Sequence, residues 1–116
     1  MPKENKNPLF ENTIKIVPSI PRGKVVAYGD VANYADSPGS ARYVSYILSS
    51  SSKKYKLPWH RVINAQGKIS SHKASITQAR LLKKEGVTIE RSKISMEAFR
   101  WVPSDKDLKK ILSQEI

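Results

Sequence analysis

Apolar residues recur at helical spacing along much of the chain. Leu9, Phe10, Ile14 and Val17 share one face of a 3.6-residue turn and predict an amphipathic helix. Asn7 ahead of Pro8 supplies an N-cap followed by a residue suited to the first helical position, where the missing N–H costs nothing. Pro18 and Pro21 limit or kink this helix, because proline removes a donor and clashes with the preceding turn. Arg22-Gly23 reads as a turn and Lys24-Val25-Val26 as a short strand, before a second helix from about Tyr28 to Ala35. Ala27, just ahead of it, lacks the oxygen that a capping Ser or Thr would offer.

Asp36-Ser37-Pro38-Gly39 interrupts the pattern. A third helix is expected to start there, capped by Ser37, with Ala41, Val44 and Leu48 as its buried stripe. Two helices joined by a tight turn make a helix-turn-helix candidate, and the pattern alone serves an ordinary helical hairpin as well. Ser49 through Ser52, with Lys53 and Lys54, reads as a polar, flexible connector. Leu57–Asn64, followed by Ala65-Gln66-Gly67-Lys68 and Ile69-Ser70, looks like two short extended pieces around a turn at Gly67. Ser75-Ile76-Thr77-Gln78 has the form of a capping box opening a helix that ends at Gly86. Asp105–Leu112 predicts one more short helix without an evident task. The expected fold is mainly α with a minor β element, close to a winged helix. Residues 1–103 are read as one domain and 104–116 as a C-terminal tail.

Composition sharpens this. A chain of 116 residues supports a single modest core, so any site shares its scaffold with that core. Lys and Arg number 21 against 10 Asp and Glu, and a net charge of +11 makes a polyanion the first partner to consider. Charge alone leaves DNA, RNA, an anionic membrane face and simple solubility open, with nucleic acid first. The absence of cysteine excludes disulfides, a thiol nucleophile and thiolate metal ligands. With His60 and His72 as the only histidines, neither a metal nor a cofactor is expected. No stretch approaches the ~18 apolar residues of a membrane span, and the N-terminus lacks the apolar core of a signal peptide. The expected location is intracellular, in cytoplasm and nucleoid or in a nucleus.

The most informative stretch is Pro58-Trp59-His60-Arg61-Val62-Ile63. It resembles the Pro-Cys-His-Arg-Val active-site motif of O6-alkylguanine-DNA alkyltransferases with Trp in place of Cys, and in that form it is similar to the motif of the alkyltransferase-like proteins. The resemblance runs from about Leu9 to Trp101. Ile20-Pro21-Arg22-Gly23-Lys24-Val25 and Tyr28-Gly29-Asp30-Val31-Ala32 look like the family's segment leading into its helix-turn-helix. Pro38-Gly39-Ser40-Ala41-Arg42-Tyr43-Val44 looks like its recognition helix, and Asn64 to Gly67 and Lys84-Glu85-Gly86-Val87 look like the segments after the active-site motif. Three features depart from the pattern: Ser45 replaces a usual glycine, Ala27 removes a cap, and the chain after Pro103 has no counterpart.

The resemblance implies a fold like the C-terminal domain of those enzymes, and roles for individual residues. Tyr28 would help rotate the phosphate of the target nucleotide, and Arg42 would fill the place a flipped base leaves in the stack. A guanidinium suits that place, being planar and cationic. Ser40 and Ala41 join these two as DNA-binding candidates. In the repair enzymes a His, oriented by a Glu, draws the proton from the thiol; here His60 and Glu85 match them, but an indole gives the relay nothing to activate. Trp59, a core aromatic on the blandest reading, better suits a pocket wall between Pro58 and the His60-Arg61 pair. Ser71 and His72, with Lys73 as an alternative, fall in the loop resembling the lid of the lesion pocket. Arg61 reads as a scaffold residue binding backbone carbonyls, and Trp101 as packing.

The implied function is a non-enzymatic sensor, a monomer that binds the minor groove of double-stranded DNA containing O6-alkylguanine, flips the lesion into a pocket walled by Trp59, and flags it to nucleotide excision repair proteins. A sequence-specific helix-turn-helix transcription regulator is the competing binding module. Hydrolysis with His60 and Glu85 as acid and base is the competing enzyme.

Overall fold

The fold is built from short helices around two small apolar clusters, and a computed structural model describes residues 8–69 and 73–115. Helix α1, Pro8–Ile16, buries Leu9, Thr13, Ile14 and Ile16. The expected cap Asn7 lies outside the described residues. At Val17–Ser19 the chain tightens into a 3-10 turn around Pro18, which ends the regular helix as proline geometry requires.

Strand β1, Val26–Ala27, begins slightly later than the pattern predicts, because Val25 is used differently. Its N–H donates to the Phe99 carbonyl at 2.9 Å and its carbonyl accepts from Trp101 N–H at 2.8 Å. β1 runs straight into helix α2, Tyr28–Tyr34. Ala27 offers no cap, and Asp30 compensates from the first turn: its Oδ2 accepts the Ala27 N–H at 2.8 Å. Asp30, only 4% exposed, also holds the Arg100 guanidinium, which ties the helix start to the far end of the chain.

Helix α3, Ala41–Tyr55, differs from expectation in three ways. Ser37 does not cap it; Ser40 occupies the N-cap, and the two hydroxyls bond each other at 2.9 Å instead. Of the predicted buried stripe Val44 and Leu48 are buried, joined by Ile47 and Ser51, while Ala41 is only half-buried. The expected flexible connector over Ser49–Lys54 is helical throughout. Serine is a weak helix former, but the stripe continues through Ser51 to Tyr55, whose ring meets Phe10 edge-on at 5.8 Å, and tertiary packing overrides propensity. The helix stops at Lys56, which takes the left-handed conformation and donates its N–H to the Ser52 carbonyl.

A 3-10 turn at Trp59–Arg61 leads into strand β2, Val62–Ile63, which pairs in parallel with β1 through Val26–Val62 and Ala27–Ile63. Helix α4 spans Lys73–Lys84, so Ser75 lies inside its first turn and the predicted capping box does not form. Gln78 is drawn elsewhere, donating to the backbone carbonyls of His60 and Val62. The helix ends at Gly86, as expected: Gly86 has a φ of +91°, Val87 N–H reaches the Leu82 carbonyl and Gly86 N–H that of Lys83.

The remaining pieces form a hairpin the residue pattern did not signal, β3, Ile89–Glu90, and β4, Lys93–Ile94. The predicted turn at Gly67 packs against it so closely that a Cβ there would lie 2.3 Å from the Ile94 carbonyl oxygen. Helix α5, Met96–Phe99, follows. Helix α6, Asp105–Leu112, is capped by Ser104, whose Oγ accepts the Asp107 N–H. It has a task after all: Leu108, Ile111 and Leu112 pack on the core beside α1, and Lys15 Nζ donates to the Leu112 carbonyl at 3.1 Å. The mainly helical class with a minor β element is as the sequence predicts. Among the described residues no helix is long and apolar enough to cross a membrane.

Candidate functional site

Helix packing decides where the chemistry sits. Tyr28 opens α2, which packs on α3, and Trp59 opens the 3-10 turn held against α4, so the two rings reach one place. They line an open cavity of about 640 Å³, within the range of small-molecule sites. Leu48 and Leu57 add apolar wall, α3 contributes Ser45, Ser49, Ser52 and Lys53 together with its C-cap Lys56, and α4 contributes Ala74, Ser75 and Gln78. Trp59 is half-buried, its ring edge-on to His60 at 6.3 Å. Burial pushes the Tyr28 phenol above its ordinary value, which keeps it a neutral hydroxyl able to donate a hydrogen bond.

Behind Trp59 lies a buried polar hub centred on Glu85. Its carboxylate accepts from His60 Nε2 at 2.7 Å, from Arg61 Nε and Nη2, and from Gly23 N–H at 2.9 Å. Burial raises the Glu85 carboxyl, but hydrogen bonds from Arg61, His60 and Gly23 outweigh it and bring the group down to about 2. Arg61 also donates to the Ile20 carbonyl at 2.9 Å, so it is a scaffold residue that holds a carbonyl and Glu85 together. Gly23 has a φ of +87°, and a Cβ there would crowd the Glu85 carbonyl at 3.1 Å. Two distant segments, at Gly23 and at His60–Arg61, thus converge on one carboxylate. The hub can fix the Trp59 turn, and with an indole at its head it has no thiol or hydroxyl to deprotonate at that position.

Arg42 is exposed near the start of α3, one turn before Ser45 and on the same side of the helix, so it continues the stripe that lines the cavity. Ser40 and Ala41 are half-buried at that helix start. Ser71 and His72 lie outside the described residues, and Lys73 opens α4 in an exposed position. Trp101 packs edge-on against Tyr34 at 5.9 Å.

Several contributors escaped sequence reasoning. The polar run that reads as a connector supplies Ser49, Ser52 and Lys53, which the helical period counted onward from Ser45 places on the helix face that borders Trp59. Gln78, the last residue of the capping-box pattern, instead clamps the turn carrying Trp59. Tyr43 and Tyr46 stack in parallel, ring centroids 6.0 Å apart, on the outward face of α3 beside Arg42, with Tyr46 63% exposed; aromatic residues three apart on a helix were the available signal.

Comparison with known proteins bears on this arrangement. Residues 8–87 match the family described as 6-O-methylguanine DNA methyltransferase, DNA binding domain. A DNA base-flipping protein of Vibrio parahaemolyticus is 41% identical over 90 residues, covering 76% of this chain and 90% of the relative. Alkyltransferase-like protein 1 of Schizosaccharomyces pombe is 36% identical over 92 residues, covering 72% and 85%. The crystal structure of S. pombe Atl1 in complex with damaged DNA containing O6-carboxymethylguanine superposes with a TM-score of 0.74 at 32% identity, covering 82% of this chain and 95% of that one.

Proposed function

This chain belongs to the 6-O-methylguanine DNA methyltransferase DNA-binding family, among its alkyltransferase-like members, and from that premise we propose that it is a non-enzymatic sensor of O6-alkylguanine in double-stranded DNA. The observation that carries the reading is the cavity shared by Tyr28 and Trp59 at the end of an α3 stripe that begins with Arg42. The chain approaches the minor groove with α3. Arg42 enters the stack as the lesion leaves it, Tyr28 turns the phosphate, and Ser40 and Ala41 let the helix start lie close to the backbone. Extruding a base costs about a few kcal/mol, less where pairing is already weakened, and stacking on the guanidinium offsets part of that. The flipped purine then rests against the Trp59 ring.

No alkyl transfer follows, because the position that would need a nucleophile carries an indole. His60 and Glu85 hold the turn in place. The relatives' names speak of base flipping and alkyltransferase-like proteins, which agrees with this division of labour. The bound lesion is handed to nucleotide excision repair, and the sensor acts as a monomer.

Titration of matched duplexes carrying guanine or O6-methylguanine at one position tests the proposal. Tighter binding of the lesion is expected, with no protein label transferred from alkyl-labelled DNA in a denaturing gel. Arg42→Ala should weaken lesion binding by about 1–3 kcal/mol with the melting temperature unchanged. Equal affinity for the two duplexes, together with a preference for one base sequence, would instead establish a transcription regulator.

A further inference from the structure

A second groove lies on the other flank of α4, away from the Tyr28–Trp59 cavity. It encloses about 840 Å³ between α4 and the β3–β4 hairpin. Its apolar surface comes from Ile69, Ile76, Ala79 and Ile89, and its charge from Arg80, Lys83, Lys84 and Arg91. Among the described residues that line it, none is acidic. Ile76 is 60% exposed and lines the groove together with Ala79 and Ile89.

The hairpin adds a second observation. Its turn residues Arg91 and Ser92 both have positive φ, 52° and 61°. A two-residue turn of this kind normally recruits Asn or Gly, and here the strained backbone holds an arginine at the groove.

We propose that this groove docks an acidic, amphipathic segment of a protein partner. Carboxylates of the segment meet Arg80, Lys83 and Arg91, and its apolar side chains cover Ile76, Ala79 and Ile89. The mixture decides between partners. A phosphate backbone is held by cations and gains nothing from a concave apolar floor, whereas a peptide with apolar residues between its carboxylates satisfies both parts of the surface. The groove shares only Ser75 with the cavity, so a partner can sit there while α3 lies on DNA. This goes beyond lesion sensing and rests on different residues.

Fluorescence anisotropy on the full chain tests the proposal, with a labelled synthetic peptide of alternating Glu and Leu or Phe as the probe. A peptide of equal charge with Ser in the apolar positions is the control. The Leu/Phe peptide should bind at least about tenfold more tightly than the Ser peptide, and the double variant Arg80→Glu/Arg91→Glu should weaken it by a similar factor. Ile76→Ser should weaken it several-fold, Arg42→Ala should leave it unchanged, and undamaged duplex should not displace it. Circular dichroism melting establishes that each surface variant is folded. Equal binding of the two peptides would reduce the groove to bulk charge. Displacement by duplex, with loss of duplex affinity in the double variant, would make it a nucleic-acid surface and overturn the proposal. Loss of lesion preference in the unmodified chain would end the sensor reading and leave the groove as it stands.

Discussion

Trp59 is half-buried, with one side lining the cavity and an edge toward His60, so its removal is expected to act on recognition more than on folding. Trp59→Ala should lower discrimination between alkylated and normal guanine while leaving affinity for undamaged duplex largely intact, measured by paired titrations with melting as a control. A loss of several kcal/mol in stability with discrimination retained would place the ring in the core instead. Trp59→Cys should not yield an efficient transferase, since small misplacements of a nucleophile cost about 100-fold and this cavity is shaped around an indole. Glu85 behaves differently because it is structural. Its carboxyl titrates near 2 in the folded chain against an ordinary 4.5, so it contributes stability that is complete above the ordinary value and is lost as pH falls toward 2. Glu85→Ala should destabilise by about 3 kcal/mol at neutral pH, because Arg61 would keep only the Ile20 carbonyl, and should flatten the acid limb of a melting-temperature profile. An unchanged acid limb would show that other carboxylates set it.

At the scale of elements, helix packing sets the site. Helix α2 packs on α3 with Tyr28 toward the cavity, and Gln78 of α4 locks the turn that carries Trp59 by bonding the His60 and Val62 carbonyls. Helix α6 covers α1 from the other side. Truncation after Pro103 should cost about 3 kcal/mol in urea unfolding, given partial burial of three apolar side chains worth roughly 1.5–3 kcal/mol each when fully buried. A neutral truncation would show that the α6 contacts add nothing to stability. The helix itself was legible from Ser104, Asp105 and the apolar spacing of Leu108, Ile111 and Leu112; its docking partner was not, since nothing local to those residues points to α1.

For the whole molecule, the net charge of +11 predicts that undamaged duplex binds weakly and loses affinity steeply as salt rises, because phosphate contacts release counterions. The preference for O6-methylguanine should persist further into the salt titration, as contacts with Trp59 and Tyr28 release none. A preference that disappears along with bulk affinity would mean that charge alone is being measured. The charge also divides in space: Lys53 near the end of α3 and Lys56 just after it border the cavity, whereas Arg80, Lys83 and Arg91 border the second groove. The two sets are therefore open to independent mutation.

Local pattern determined much of this protein. The period of Leu9, Phe10 and Ile14 marked α1, Gly86 marked the end of α4, and the missing cysteine with Trp59 in Pro-Trp-His-Arg-Val excluded thiol chemistry. Those properties depend on residues close together in the chain, where caps, glycines and apolar spacing act. Tertiary structure decided the rest. A run of serines and lysines reads as a connector until packing on Phe10 and the core makes it the last two turns of α3. The Glu85 hub gathers Gly23, His60 and Arg61, and the cavity joins residue 28 to residues 45–59 and 74–78. Such proximity arises from the free energy of burying distant apolar faces together, which no window along the chain contains.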